Sequence, residues 1–253
     1  MNSKRYAIFL DIDNTLMCNG IIPEKNIIAI KKAREQGSFV FINTARSYAF
    51  IPDILKDDTL FDGFVAGIGT DLRLNGKQIL SAPLSNIELK FIANLFANSS
   101  REISFEGEDA MIWINPHKSR TNIVYLLDSP NDFDTKYKNF KISKMYIHGK
   151  LSEEENSILS KDYTVYQHEN YAEFVKKGHS KSIGMKTIAK KIGISISDCI
   201  AMGDSSNDLD MLLNAGISVA MGNSIEQIKN IATYISCDAK DGGVAQAIEK
   251  FVL

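Results

Sequence analysis

Tyr6-Ala7-Ile8-Phe9-Leu10-Asp11-Ile12-Asp13-Asn14-Thr15-Leu16 is the stretch that decides the fold. An apolar run of strand length ends on two carboxylates, Asp11 and Asp13, with a hydroxyl at Thr15. Aspartate is depleted in strands and favoured where chains turn, so both acids are expected just beyond the strand's C-terminal end. In an open α/β sheet that edge is where ligands bind. Like charges about 4 Å apart repel by roughly 4 kcal/mol at an effective dielectric near 20, so the pair needs a proton, a cation or another neutralising partner. An EF-hand loop also opens on D-x-D, but Leu16 stands where its glycine belongs and Ile22 where its closing glutamate belongs.

Working outward, residues 24–36 place Ile27, Ile28, Ile30 and Ala33 on helical spacing, and Gly37 stops the helix. Residues 38–42 read as a buried strand and 62–66 as a short one. Asn75-Gly76 between two strand-like runs is a hairpin signal, since both residues tolerate positive φ. From 82 to 172 the pattern changes to short strands with two helices, at 86–96 and 152–160. Alternation returns near Phe174. Residues 180–192 put Ile183, Thr187, Ile188 and Ile192 on one helical face, and strands at 199–202, 217–220 and 233–235 alternate with helices. The expected class is α/β: a Rossmann-like parallel-sheet core in two parts, 1–82 and 173–253, interrupted by an inserted α+β cap at 83–172.

The bulk numbers narrow the function classes. A chain of 253 residues forms one large domain or two modest ones, and buries roughly 70–75% of its unfolded surface. A net charge of −2 leaves no basic surplus for a nucleic-acid backbone. No apolar stretch approaches the ~20 residues of a membrane span. Met1 to Arg5 runs straight into a five-residue strand, too short for a signal-peptide core. Cys18, Cys199 and Cys237 are odd in number and far apart, and read as free or buried thiols in a reducing cytoplasm. His117, His148, His168 and His179 show no metal-ligand spacing. There is no P-loop motif, and Leu72 occupies the third glycine position of a dinucleotide fingerprint begun by Gly67-Ile68-Gly69.

Four clusters remain at strand ends or helix starts: the loop Asp11–Thr15; Asn43-Thr44-Ala45-Arg46 after SFVFI; Lys181 at a helix start; and Gly203-Asp204-Ser205-Ser206-Asn207-Asp208 after CIAM. A lysine in a first helical turn opposes the helix dipole, and each acidic loop alone is an ordinary turn. Together they supply carboxylates for a divalent cation, a positive charge and donors for phosphate oxygens, and a nucleophile. That is the inventory of phosphoryl transfer.

The chain resembles the haloacid dehalogenase-like phosphatase superfamily, in its Cof-type sugar-phosphatase-like branch with a large α/β cap. DIDNTL, INTAR, the Ser180-Lys181-Ser182 helix start and GDSSNDLDML match its four motifs in order, and Val219–Asn223 and Asp241–Ala245 continue the likeness along nearly the whole chain. Asn14 and Ala45 stand where glycine is usual, and Gly69-Thr70 where Asn-Gly is frequent. These departures sit beside the reacting groups. The resemblance implies that Asp11 is the nucleophile and Asp13 the general acid and base. It implies Mg²⁺ on Asp11, Asp204 and the Asp13 carbonyl, with Asp208 and Ser205 behind them. Phosphate and substrate fall to Thr44, Ala45, Arg46, Lys181 and Asn207. The expected activity is Mg²⁺-dependent hydrolysis of small phosphate monoesters through an aspartyl-phosphate. A phosphomutase, a phosphate-ester synthase or a catalytically inactive phosphate-binding regulatory protein are the alternatives. A receiver-like module is about half this length and has no inserted cap. The expected partner is a small phosphate ester, with neither nucleic acid nor membrane, for a cytoplasmic monomer or homodimer. Glu106, Trp113, Tyr146 and His148 are candidate substrate contacts in the cap.

Overall fold

The computed structural model describes residues 4–116 and 125–253; His117 lies outside them. Among the described residues no helix is long and apolar enough to cross a membrane. The chain forms two compact units, one of residues 1–45, 51–80 and 180–253, the other of 46–50 and 81–179.

The first unit opens with β1 (Ala7–Leu10), α1 (Glu24–Glu35), β2 (Phe39–Asn43), β3 (Gly63–Ala66), β4 (Asp71–Leu74) and β5 (Lys77–Ser81). In α1 the buried positions are Asn26, Ala29, Ile30 and Ala33, whereas Ile28 is half exposed. Asn26 earns its buried place by bonding on both sides: it donates to the Leu16 carbonyl and accepts from the Ala245 N–H. Asn75 and Gly76 both take positive φ in the tight turn from β4 to β5, as their side chains permit.

The second unit contains α2 (Asn86–Leu95), β6 (Ile103–Gly107), β7 (Met111–Ile114), β8 (Tyr125–Leu126), β9 (Ile142–His148), α3 (Glu153–Leu159), β10 (Tyr163–Gln167) and β11 (Tyr171–Lys176). Its six strands lie in the order β10-β11-β9-β6-β7-β8. Phe105, Ile112, Met145 and Phe174 form its core with Leu89 and Ile92 of α2 and with Phe96 just after that helix. Strand alternation turns Glu106, Lys144 and Glu173 away from that cluster. All three are buried, and the Lys144 ammonium lies 3.0 Å from a carboxylate oxygen of each glutamate. Strand β11 runs across the expected boundary at residue 173. It pairs antiparallel with β9 and β10, so the chain rejoins the first unit only at Ser180.

The return leg supplies α4 (Lys181–Ile192), β12 (Cys199–Gly203), α5 (Leu209–Asn214), β13 (Ile217–Ala220), α6 (Glu226–Ile231), β14 (Tyr234–Ile235) and α7 (Gly243–Phe251). The first unit's sheet has the order β14-β13-β12-β1-β2-β3-β4-β5. The run from β14 to β3 is parallel, and β4 turns antiparallel to β3. Parallel strands are buried on both faces, which is why AIFL, FVFI and CIAM are unbroken apolar runs. Strand order reverses at β1, between β2 and β12, and a reversal of this kind opens a crevice at the strands' C-terminal ends.

Candidate active site

The three strands around the reversal end on chemistry. Asp11 follows β1, Thr44 follows β2, and Asp204 follows β12. The Asp11 N–H donates to the Met202 carbonyl (3.0 Å) and its carbonyl accepts from Leu16 (3.2 Å), so the loop curls back at once on the strand end. Asn14 takes φ 55°, a region asparagine visits more readily than other side-chain-bearing residues. Its carbonyl accepts from the Asn223 amide at 2.9 Å. Thr15 is fully buried and donates to Asp204 Oδ1 at 3.4 Å.

Lys181 occupies the first position of α4 and is fully buried. Its Nζ donates to Asp11 Oδ1 (2.7 Å), Asp208 Oδ1 (2.6 Å) and Asn207 Oδ1 (3.2 Å). The buried positions of α4 include Lys181, Met185, Ile188 and Ala189, while Ile183, expected on the inner face, is 45% exposed. The spacing i, i+4, i+7 puts Lys181 on the stripe that docks the helix, and docking therefore carries the ammonium inward.

Asp208 is spent on both oxygens. Oδ1 holds Lys181, and Oδ2 accepts the N–H groups of Asp204 (3.0 Å) and Ser205 (3.1 Å). A Cβ on Gly203 would stand 2.4 Å from the Asp208 carboxyl carbon, so only glycine lets that side chain fold back under the loop. Ser205 donates its hydroxyl to Asn207 Oδ1 at 3.0 Å.

Burial pushes the Asp11 carboxyl well above the usual range. Lys181 pulls it back, and Asp208 and Asp204 add to the rise. Burial, then the charge of Asp208, pushes Asp204 up to about 7. Burial disfavours the charged form of Lys181, but Asp11 and Asp208 more than offset this and hold it above its ordinary value. Three carboxylates thus face one ammonium in a space with little water. Oxygens of Asp11, Asp204 and Asp208 lie within 4.8 Å of one another, the only such grouping of metal-ligating side chains among the described residues. The donor set is all oxygen, and with all three acids ionised one ammonium leaves two negative charges uncompensated. Both features suit a hard divalent cation. Since Asp208 is already engaged, Asp11 and Asp204 are the carboxylates left to hold one.

Of the residues singled out in the sequence, Asp11, Asp204, Ser205, Asn207, Asp208 and Lys181 come together in this cluster. Thr44 is buried at the end of β2, with its N–H on the Val65 carbonyl (2.8 Å) and half-buried Ala45 after it. Asp13 is exposed, two residues beyond Asp11. The remaining candidate of that segment is Arg46. It belongs to the second unit, where its guanidinium lies over the Phe50 ring and donates to the Phe50 carbonyl. In that unit Glu106 is committed to Lys144 and Ser104, Trp113 is buried, Tyr146 stacks on Tyr171, and His148 is exposed. Sequence reading gave no role to Thr15 or Asn223, which tie the two acidic loops to their neighbours. A threonine two residues past the acid pair was the one available signal.

Residues 8–248 match the haloacid dehalogenase-like hydrolase family. The 5-amino-6-(5-phospho-D-ribitylamino)uracil phosphatase YitU of Bacillus subtilis is 27% identical over 273 residues, covering 99% of each chain. The solved structure of BT4131, a sugar phosphatase of subclass IIB of the superfamily, is 26% identical with a TM-score of 0.85, over 97% of this chain and 98% of that one. A further structure from a phosphoryl-transfer superfamily is 25% identical with the same TM-score of 0.85, over 98% and 99%. With four motif clusters gathered at one sheet edge and the match running almost end to end, the chain belongs to the haloacid dehalogenase-like hydrolases.

Proposed function

We propose that the protein is a Mg²⁺-dependent phosphatase of small phosphate monoesters, sugar phosphates or related polyol phosphates, acting through an aspartyl-phosphate. The observation that carries this reading is the ion-paired cluster of Asp11, Lys181 and Asp208 beside Asp204. Sugar and ribityl phosphates are favoured because BT4131 is a sugar phosphatase and YitU acts on a ribityl phosphate.

Asp11 attacks phosphorus with a carboxylate oxygen, and the bond from phosphorus to the ester oxygen breaks. Asp13, as its carboxylic acid, gives its proton to the departing oxygen. As carboxylate it then takes a proton from the water that attacks the phosphorus of the aspartyl-phosphate, which frees Asp11 and inorganic phosphate. Lys181, Asn207 and Thr44 orient the phosphoryl oxygens, and Asp208 keeps Lys181 in place. Bound Mg²⁺ on Asp11 and Asp204 would supply positive charge against the phosphate dianion. The test is phosphate release from p-nitrophenyl phosphate and a panel of sugar phosphates. Turnover abolished by EDTA and restored by Mg²⁺ is expected, and full activity in metal-free buffer would refute the mechanism.

A further inference from the structure

Lys181 must hold its ammonium within 2.7 Å of two carboxylates, and its backbone has to be fixed for that. Two unusual features meet on the single peptide step from Ser180 to Lys181. The first is Asn43, fully buried at the end of β2, whose amide donates to the Lys181 carbonyl at 3.0 Å. Its own side-chain oxygen is buried with no hydrogen-bond partner among the described residues, an arrangement that costs on the order of 1–3 kcal/mol. The second is the turn after β3. Gly67, Ile68 and Gly69 all take positive φ (56°, 56° and 88°), and Ile68 is β-branched, a residue class for which that region is a true outlier. Reversing β3 into β4 does not demand this, because two residues suffice for a tight antiparallel turn.

The strained turn does have a visible result. A Cβ on Gly69 would lie 2.3 Å from the Ser180 carbonyl oxygen and 3.1 Å from its nitrogen, so the missing side chain is what seats the start of α4. On its other side the Ile68 N–H donates to the Thr44 carbonyl at 3.1 Å. We infer that Asn43 and Gly69 are positioning residues for Lys181: together they form a backbone seat that sets the α4 start, and with it the ammonium, against Asp11. Neither side chain touches the reacting atoms.

The inference rests on the phosphatase reading for its kinetics, and a double-mutant cycle tests it. Gly69→Ala and Asn43→Ala are each expected to lower kcat on p-nitrophenyl phosphate by roughly 10–100-fold, the usual effect of a displacement near 1 Å. In a Lys181→Ala background the same changes should alter kcat by about threefold or less, since the group they position is gone. Gly63→Ala is the control for crowding alone. Its Cβ would stand 2.0 Å from the Arg73 carbonyl oxygen at the far end of β3, so it should destabilise while leaving kcat within about threefold. Losses that multiply with Lys181→Ala, or an equal loss in Gly63→Ala, would overturn the inference. If Gly69→Ala does not fold, the Asn43 cycle decides. If the wild type releases phosphate from no ester, the phosphatase reading falls. The same cycle read on calorimetric binding of inorganic phosphate then still decides the seat: coupled losses support it and independent ones overturn it.

Discussion

Asp204 is the residue whose environment most directly advertises a missing positive charge. In metal-free protein its folded pKa of about 7 lies above the ordinary aspartate value, so the folded state holds a proton that the unfolded chain has already released. Stability from this group is therefore present at low pH and declines as pH rises from about 4 through about 7. Protein stripped with EDTA should lose melting temperature between pH 5 and pH 8, and saturating Mg²⁺ should remove most of that decline. Thermal melts across pH with and without metal would show the gap widening, and a gap constant with pH would refute the assignment. Asp11 makes a sharper prediction. Asp11→Asn should lower kcat by at least about a thousandfold, on the order of 4 kcal/mol of transition-state stabilisation, in a protein that still folds. Wild-type turnover in that variant would remove Asp11 as nucleophile.

At the scale of elements, caps and stripes determine what each segment contributes. Helix α2 begins with a reciprocal capping box, Ser85 accepting from the Glu88 N–H while the Glu88 carboxylate accepts from the Ser85 N–H. Ser85→Ala should cost the second unit about 1 kcal/mol in denaturant melts with kcat unchanged, because the cap lies among none of the reacting groups. The strands of the first unit were legible because parallel strands show as apolar runs, and their ends show as the acids and amides that follow. Helix α4 was legible as a helix but misread in its face. Ile183, expected inside, is 45% exposed, whereas Lys181 is fully buried by ion pairs that only the fold assembles. Strand β11 went unseen for a related reason. Glu173 interrupts its apolar pattern, and the Lys144 that neutralises it lies on another strand. Pairing across sequence is the part of the physics that a local pattern does not carry.

At the scale of the whole molecule, Asp11, Lys181, Asp204, Asn207 and Asp208 all belong to the first unit. Replacing residues 81–179 with a short glycine-serine linker should leave a core that binds Mg²⁺ and inorganic phosphate and slowly hydrolyses p-nitrophenyl phosphate. If the second unit selects the leaving group, discrimination among sugar phosphates should collapse. Solubility of the shortened protein is checked first. A core that keeps the full-length substrate ranking would show that selectivity resides in the first unit.

The central place of β1 also bears on how the core comes together. One edge of β1 pairs with β2, close by in the chain, but the other waits for Cys199–Gly203, and the lysine that pairs with Asp11 lies only shortly before them. Until β12 docks, the folding chain carries an apolar strand with an open edge, the kind of segment that invites wrong pairings. The cluster of Asp11, Lys181 and Asp204 is complete only once β12 lies beside β1.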